Sequence, residues 1–374
     1  MERTRGFRFL RPLKGVKDMF AAYSAVGYIT FSIIARIRGQ LTKDHLQAGL
    51  EALQHCHKKL TLAISHSPNG RRFFVNSDKS APLRVLESES TGWEEAVMQE
   101  LVTPFVEESG QLFRVTALLD RVDNILILTF HHAVADGISG TILLRDLLLL
   151  LSGQTLAAEE PWGETIEDWL SEDFIAAVTA AECAELPSSA VAHNKWAAKV
   201  KEASLVRSYV FSPEATARIV IKARREQTTV HAVLLAAMAQ ARYDLAPNTY
   251  PAEGLRLITP IDVRPFARPL DRPSSRVRVY ITAAITSSLP PTASDLSTRF
   301  WDEARALHLT VASSRDTSSA TSLAVAAELQ MRRDASPGAV TEFMKTTTDH
   351  EGRLFNLGKL EIDTVYGNFE IISV

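Results

Sequence analysis

The stretch ILILTFHHAVADGISGTILL, residues 125–144, decides how the rest of the chain is read. An apolar run rich in isoleucine and leucine ends at Phe130 and reads as a buried strand. Two adjacent histidines follow, and then Asp136 and Gly137, whose types suit a tight turn and a helix start. From Ile138 to Leu151 a continuous leucine face reads as a helix. Just upstream, LFRVTALLD (112–120) is a second apolar run joined to NILILTF by Arg121, Val122 and Asp123, so the two predict a hairpin that delivers the histidines.

Working outward, YITFSIIARIRGQ (28–40) predicts a strand, and Thr42 caps a helix carrying Leu46, Leu50, Leu53 and Leu60 on one face. RRFFVN (71–76) predicts a further strand and WEEAVMQELVTPF (93–105) a helix. Downstream, SLVRSYVFS (204–212), LRLITPIDVRP (255–265) and RVRVYITAAITSSLP (276–290) read as strands. Helices are expected after Ser212 and Pro213, over 228–243, over 295–311 and over 322–331. This alternation predicts an α/β (α+β layered) fold divided into a first lobe over 1–152, a connection over 153–203 and a second lobe over 204–374. The second lobe is expected to stop in mid-strand at IDTVYGNFEIISV.

Composition narrows the functional classes. With 374 residues, 46% hydrophobic and 23% charged, the chain is globular and long enough for two lobes. Its 41 Lys+Arg against 44 Asp+Glu give a net charge of -3, so no overall basic field draws in nucleic acid or an anionic membrane. Cys56 and Cys183 stand far apart without a CxxC spacing, which speaks against a disulfide framework or a thiolate zinc site and fits a reducing, cytoplasmic setting. The longest apolar stretch, TILLRDLLLLL, is broken by Arg145 and Asp146 and falls short of the roughly 18 residues of a membrane span, so no transmembrane segment is expected.

His131 and His132 admit three readings. Both are packing or surface residues, as the other eight histidines are taken to be; or they bind a metal; or one is catalytic. Neighbours at a strand end point to opposite faces, and no third ligand sits at a spacing that closes a metal site. An inward imidazole with an ordinary pKa near 6.5 could instead remove a proton from an alcohol, amine or thiol. Ser139 lies in GISG, yet its second glycine is one residue too near for a nucleophile elbow, and a helix-start hydroxyl is the better account.

His131, His132, Asp136 and Gly137 spell HHxxxDG, and in this the chain resembles the CoA-dependent acyltransferase superfamily, which includes chloramphenicol acetyltransferases and nonribosomal peptide condensation domains. RPLKGVKDMFAAY (11–23), IARIRGQLTKDHLQAGLEALQHCH (34–57) and ITPIDVRP (258–265) resemble, in the same order, segments of its polyketide-associated branch, which esterifies phthiocerol-type diols. The DFGWG segment of the plant branch is absent. The resemblance implies two similar chloramphenicol-acetyltransferase-like lobes with an active-site tunnel between them. It implies His132 as general base for direct attack on a thioester, His131 as structural, and Gly137 as keeping the space near the ring clear. It turns Asp136 away from the channel to pair with an arginine of the other half, for which Arg264 in PIDVRP is the candidate. Asn356 and Gly358 in NLGKL resemble an Asn-x-Gly segment at the lobe interface, with an ordinary turn as the alternative.

On this reading no cofactor or metal is bound. The co-substrate is acyl-CoA or an acyl-phosphopantetheine carrier protein, and the acceptor is a small hydrophobic alcohol in preference to an amine. Arg218, Lys222, Arg224 and Arg225 either meet the donor's phosphates or form a solvated helix face. Relatives of the family continue beyond the final segment, so a truncated chain, one split into two polypeptides and a shortened version are the alternatives, and two rivals in function stay open: a non-catalytic carrier-binding protein and a thioester hydrolase.

Overall fold

A computed structural model describes residues 3–4, 7–24, 30–67, 70–77, 79–87, 92–107, 110–158, 166–169, 205–266, 277–290, 296–315, 317–347 and 350–374. Strands β1 (Arg3–Thr4) and β2 (Phe7–Pro12) lead into helix α1 (Gly15–Ser24), strand β3 (Thr30–Arg38) and helix α2 (Lys43–Cys56). Then come β4 (Leu62–His66), β5 (Arg72–Asn76), β6 (Leu83–Glu87), α3 (Trp93–Val102), β7 (Phe113–Leu119), β8 (Asp123–His131) and α4 (Gly137–Leu151).

The predicted hairpin forms: β7 and β8 pair antiparallel, and β8 pairs on its other side with β3 from Thr30 opposite His131 to Arg38 opposite Asp123. These strands centre a six-stranded sheet of order β12-β13-β3-β8-β7-β6, where β12 is Val365–Tyr366 and β13 is Phe369–Ser373. Alternation assigns its faces. Ile33, Ala35 and Ile37 of β3 and Leu126, Leu128 and Phe130 of β8 join the leucines of α2 and α4 in one core, while Ile127 and Leu118 meet Ala96 and Val97 of α3 on the other face. Covered on both faces, β8 is buried almost throughout, and this explains its unbroken apolar sequence. A smaller sheet of order β1-β2-β5-β4 lies beside it.

The second lobe holds α5 (Pro213–Arg225), α6 (Val230–Leu245), β9 (Leu255–Asp262), β10 (Ile281–Ser288), α7 (Leu296–Ser313), α8 (Thr317–Arg333), α9 (Pro337–Thr347) and β11 (Gly352–Arg353). Ser212 and Thr229 cap α5 and α6 through their side chains. The strands form a sheet of order β10-β9-β11, with α6 and α7 packed on Leu255 and Leu257. Among the described residues no helix is long and apolar enough to cross a membrane.

Three expectations are corrected. Residues 205–212 carry no strand: Tyr209, Val210 and Phe211 are 83%, 86% and 60% exposed. The strand expected from 276 starts at Ile281, because the backbone N–H groups of Arg278 and Tyr280 go to Ser139 and Asp136 instead of to a ladder. The final segment folds as β12 (Val365–Tyr366) and β13 (Phe369–Ser373), and β13 pairs with β3, so the end of the chain completes the first lobe's sheet. Conversely α1 packs through Val16, Met19 and Phe20 among Ala324, Ala327 and Val340 of α8 and α9. Most of the connection expected over 153–203, with Cys183, lies outside the described residues.

Candidate active site

β8 ends at His131, and the chain turns through Ala133 to Ala135 into α4. This turn sends the two imidazoles to different places. His131 is buried, and its Nδ1 accepts from the Ala133 N–H at 3.0 Å. The proton therefore sits on Nε2, 3.4 Å from Oε1 of Glu107. Glu107 also accepts from the Ser24 hydroxyl; burial pushes its carboxyl up, but His131 and Ser24 outweigh this and leave it below the ordinary range. These contacts fix the His131 ring in place.

His132 is partly exposed and lies between two aromatic rings, 4.5 Å from Phe31 of β3 and 5.3 Å from Phe20 of α1. Its Nδ1 is buried without a hydrogen bond of good geometry to the described residues. Burial lowers the pKa of the ring to about 4; Asp136 and the Ala135 backbone work against this, while His131 and Arg353 add to it. The imidazole is neutral at pH 7 and able to take up a proton.

Asp136 does not face the ring as a base. Its Oδ1 accepts from the Ser139 N–H, capping α4, and from Arg264 Nη2; its Oδ2 accepts from Arg264 Nη1 and the Tyr280 N–H, all within 2.8–2.9 Å. Both partners of this bidentate pair are buried. Burial raises the Asp136 carboxyl, yet the guanidinium and the backbone donors outweigh it and hold it below the usual carboxylate range. Arg264 is also pinned by Asp262, the Arg278 carbonyl and Ser139. The Ser139 hydroxyl donates to the Arg278 carbonyl at 2.6 Å and accepts from the Arg278 N–H at 2.8 Å, so it clamps the two lobes and is neither a nucleophile nor a helix cap.

The structure thus brings His131, His132, Asp136 and Arg264 together. Gly137 plays a different part from the one expected: a Cβ there would meet Leu357 at 3.0 Å, with the His132 ring beyond contact range. Asn356 accepts from the Gly358 N–H at 2.8 Å, with Gly358 at φ 67, and both are exposed. They form a turn, and the residue between them, Leu357, is the one that reaches the motif. In α5, Lys222 pairs with Glu226 at 2.7 Å and lies over the Trp301 ring.

Glu107 and Arg353 escaped the sequence reading. Nothing local marks Glu107, whereas Arg353 stands three residues before Asn356 and could have been found by following that segment. Among the described residues no cluster of three His, Cys, Asp or Glu side chains is placed to hold a metal. A cavity of about 580 Å³ lined by Gln40, His45, Gly367 and Phe369 lies beyond the other end of β3, far from His132.

Two family models match the chain: one described as the condensation domain over residues 26–241, and one described as the C-terminus of phthiocerol/phthiodiolone dimycocerosyl transferase over residues 201–286. Over 136 residues the chain is 29% identical to tyrocidine synthase 3 of Brevibacillus parabrevis, covering 36% of this chain and 2% of the synthase, so it spans a small fraction of that relative. In three dimensions it is similar to polyketide synthase associated protein 5 of Mycobacterium tuberculosis, with a TM-score of 0.60 at 17% identity over 98% of this chain and 86% of that one. The trichothecene 15-O-acetyltransferase of Fusarium sporotrichioides is likewise similar, with a TM-score of 0.62 at 12% identity over 98% and 86% of the two chains. These likenesses fix a two-lobed α/β fold.

Proposed function

The chain belongs to the condensation-domain family, and from that premise we propose that it moves an acyl group from a CoA or carrier-protein thioester to a hydroxyl, in preference to an amine, of a small acceptor. The observation that carries this reading is the state of His132: a neutral, partly exposed imidazole with its Nδ1 buried, so that Nε2 is the nitrogen left to meet a substrate. Nε2 takes the acceptor's proton as its oxygen attacks the thioester carbonyl. The tetrahedral intermediate collapses, the C–S bond breaks, and the departing thiolate recovers the proton from the imidazolium. Donor and acceptor meet in a tunnel between the lobes, and no acyl-enzyme forms because the one serine beside the motif has its hydroxyl engaged by Arg264 and Arg278. Preference for a hydroxyl is supported by the match of residues 201–286 to a transferase named for an alcohol acceptor. Such a reaction belongs in the cytoplasm, where CoA and carrier thioesters are held.

The test is thiol release from a panel of acyl-CoA and acyl-carrier donors with mixed alcohols and amines, with products read by mass spectrometry beside His132→Ala. Ester formation that falls by about 10²–10⁴-fold in the variant is the expected result. Thiol release untouched by the substitution overturns the mechanism, and thiol release without any ester identifies water as the acceptor and overturns the transferase reading.

A further inference from the structure

His132 stands at the corner of the turn from His131 to Val134, and both bonds that brace this turn end on His131. The Val134 N–H donates to the His131 carbonyl at 3.1 Å, and the Ala133 N–H donates to Nδ1 of the His131 ring at 3.0 Å. Ala133 is 2% exposed, so losing the second bond would strand its N–H in the interior. The ring accepts only with its proton on Nε2, because a proton on Nδ1 would set one donor against another. At Nε2 lies Glu107. Nε2 is buried and makes no hydrogen bond of good angle among the described residues, and the Glu107 carboxylate is 3.4 Å from it. A carboxylate beside one ring nitrogen favours a proton there over a proton on the other. Phe105, of the same short segment as Glu107, meets the His131 ring edge-on at 6.0 Å. Glu107 accepts in turn from the Ser24 hydroxyl of α1. One turn earlier on the same face of α1, Phe20 meets the His132 ring at 5.3 Å, so a single helix face braces both imidazoles.

We propose that Glu107 is a positioning residue: by holding the proton of His131 on Nε2 it keeps Nδ1 available to the Ala133 N–H, and so fixes the turn that aims His132. It touches no reacting atom and acts through His131. The proposal rests on the acyltransfer reading for its kinetic readout, whereas the tautomer of His131 belongs to the folded protein with or without turnover. What the position needs is an acceptor. Glutamine offers an oxygen in the same place, and leucine fills similar space with none. At the other end of the contact, asparagine in place of His131 puts Oδ1 where Nδ1 stands, accepts from the same N–H, and needs no help from Glu107.

The test compares the wild type with Glu107→Gln, Glu107→Leu, His131→Asn and the double variant His131→Asn/Glu107→Leu, at a temperature where circular dichroism shows each to be folded. In protein isotope-labelled at its histidine nitrogens, the His131 resonances are assigned by their loss in His131→Asn. They should report a bare Nδ1 and a protonated Nε2 in the wild type and in Glu107→Gln, and a mixture of tautomers in Glu107→Leu. Ester formation in Glu107→Leu should fall by roughly 10- to 100-fold in kcat with KM little changed, since a displacement of about 1 Å at the chemistry can cost that much. Glu107→Gln should recover most of the loss. In the His131→Asn background, adding Glu107→Leu should cost nothing further, the non-additivity of one residue acting through another. An Nε2–H tautomer that persists undiminished in Glu107→Leu overturns the proposal. So does a loss in Glu107→Gln as deep as that in Glu107→Leu, or a fully additive loss in the double variant. A change of tautomer in Glu107→Leu, in a protein whose wild type forms no ester, retains the link from Glu107 to His131 and overturns only the acyltransfer reading.

Discussion

At the scale of single residues the motif divides into the imidazole proposed to react and the groups that hold the turn around it. Asp136 accepts four hydrogen bonds, two of them from Arg264, and neither side chain reaches water. Asp136→Asn would remove the buried carboxylate of the pair and leave Asp262 as the charged partner of Arg264, a loss of at most about 3–5 kcal/mol. It is read as a lower urea midpoint at unchanged slope, and an unchanged midpoint would show that the pair is not structural. Arg264→Lys is expected to lose much of the same stability, because an ammonium cannot reproduce the fork that meets both carboxylate oxygens. His132 adds a pH dependence of known sign. Its folded pKa, about 4, lies below the unfolded value of 6.5, so between these limits the unfolded chain binds more protons and stability falls as pH falls. The loss has an upper bound of about 3 kcal/mol, reduced by the ring's partial exposure. Denaturation from pH 4 to 7 should show a shallower acid slope in His132→Phe than in the wild type, and equal slopes would refute the depressed pKa.

At the scale of elements, close packing of α4 against β3 sets the position of the His132 ring. A Cβ on Gly140 would stand 2.6 Å from Cγ1 of Ile33 and 3.1 Å from Cε2 of Phe31, the ring that lies against His132. Gly140→Ala gains about 1 kcal/mol of helix propensity but overpacks a central strand at about 1–3 kcal/mol. The expected net result is a lower Tm together with a lower kcat, because Phe31 must shift. Gly338→Ala in α9 is the control, with nothing within 4 Å of its added Cβ and no loss of Tm expected. Such elements were legible in sequence where their pattern was strong: β3, α2, β7, β8 and α4 all carry an apolar period matched to their partners. Pattern failed where tertiary bonds take over. Val277 to Tyr280 look like strand, yet the N–H groups of Arg278 and Tyr280 are claimed by Ser139 and Asp136, and Arg353 is placed by pairing with β9 rather than by anything in its own neighbours. The Asp136–Arg264 contact was anticipated from family resemblance, since no local rule joins residues 128 apart.

At the scale of the whole molecule the two lobes exchange their ends. The first helix packs into the second lobe, and the last strand completes the first lobe's sheet, so neither lobe is finished without the other's chain. Phe369 of β13 is 4% exposed and belongs to the main core, and Gly39, at φ 141, lies so close that an added Cβ would sit 2.7 Å from the Phe369 ring and 2.6 Å from the Asn368 carbonyl. Deleting residues 369–374 would remove this side chain, a loss of about 3–5 kcal/mol by analogy with Phe→Ala in cores, and would also bare the ladder edge of β3. The deletion should therefore cost more than Phe369→Ala, and the bared edge should promote self-association in size-exclusion chromatography. Because β3 carries both the ladder to β8 and the Phe31 ring on His132, amide exchange should quicken along β3 and β8, and ester formation should fall with it. A deletion variant that remains monomeric, with the wild-type Tm and unchanged exchange in β8, would mean that β13 decorates the sheet without holding it. The interlock would then rest on other contacts, such as those of α1, the Asp136–Arg264 pair and the Ser139–Arg278 bonds.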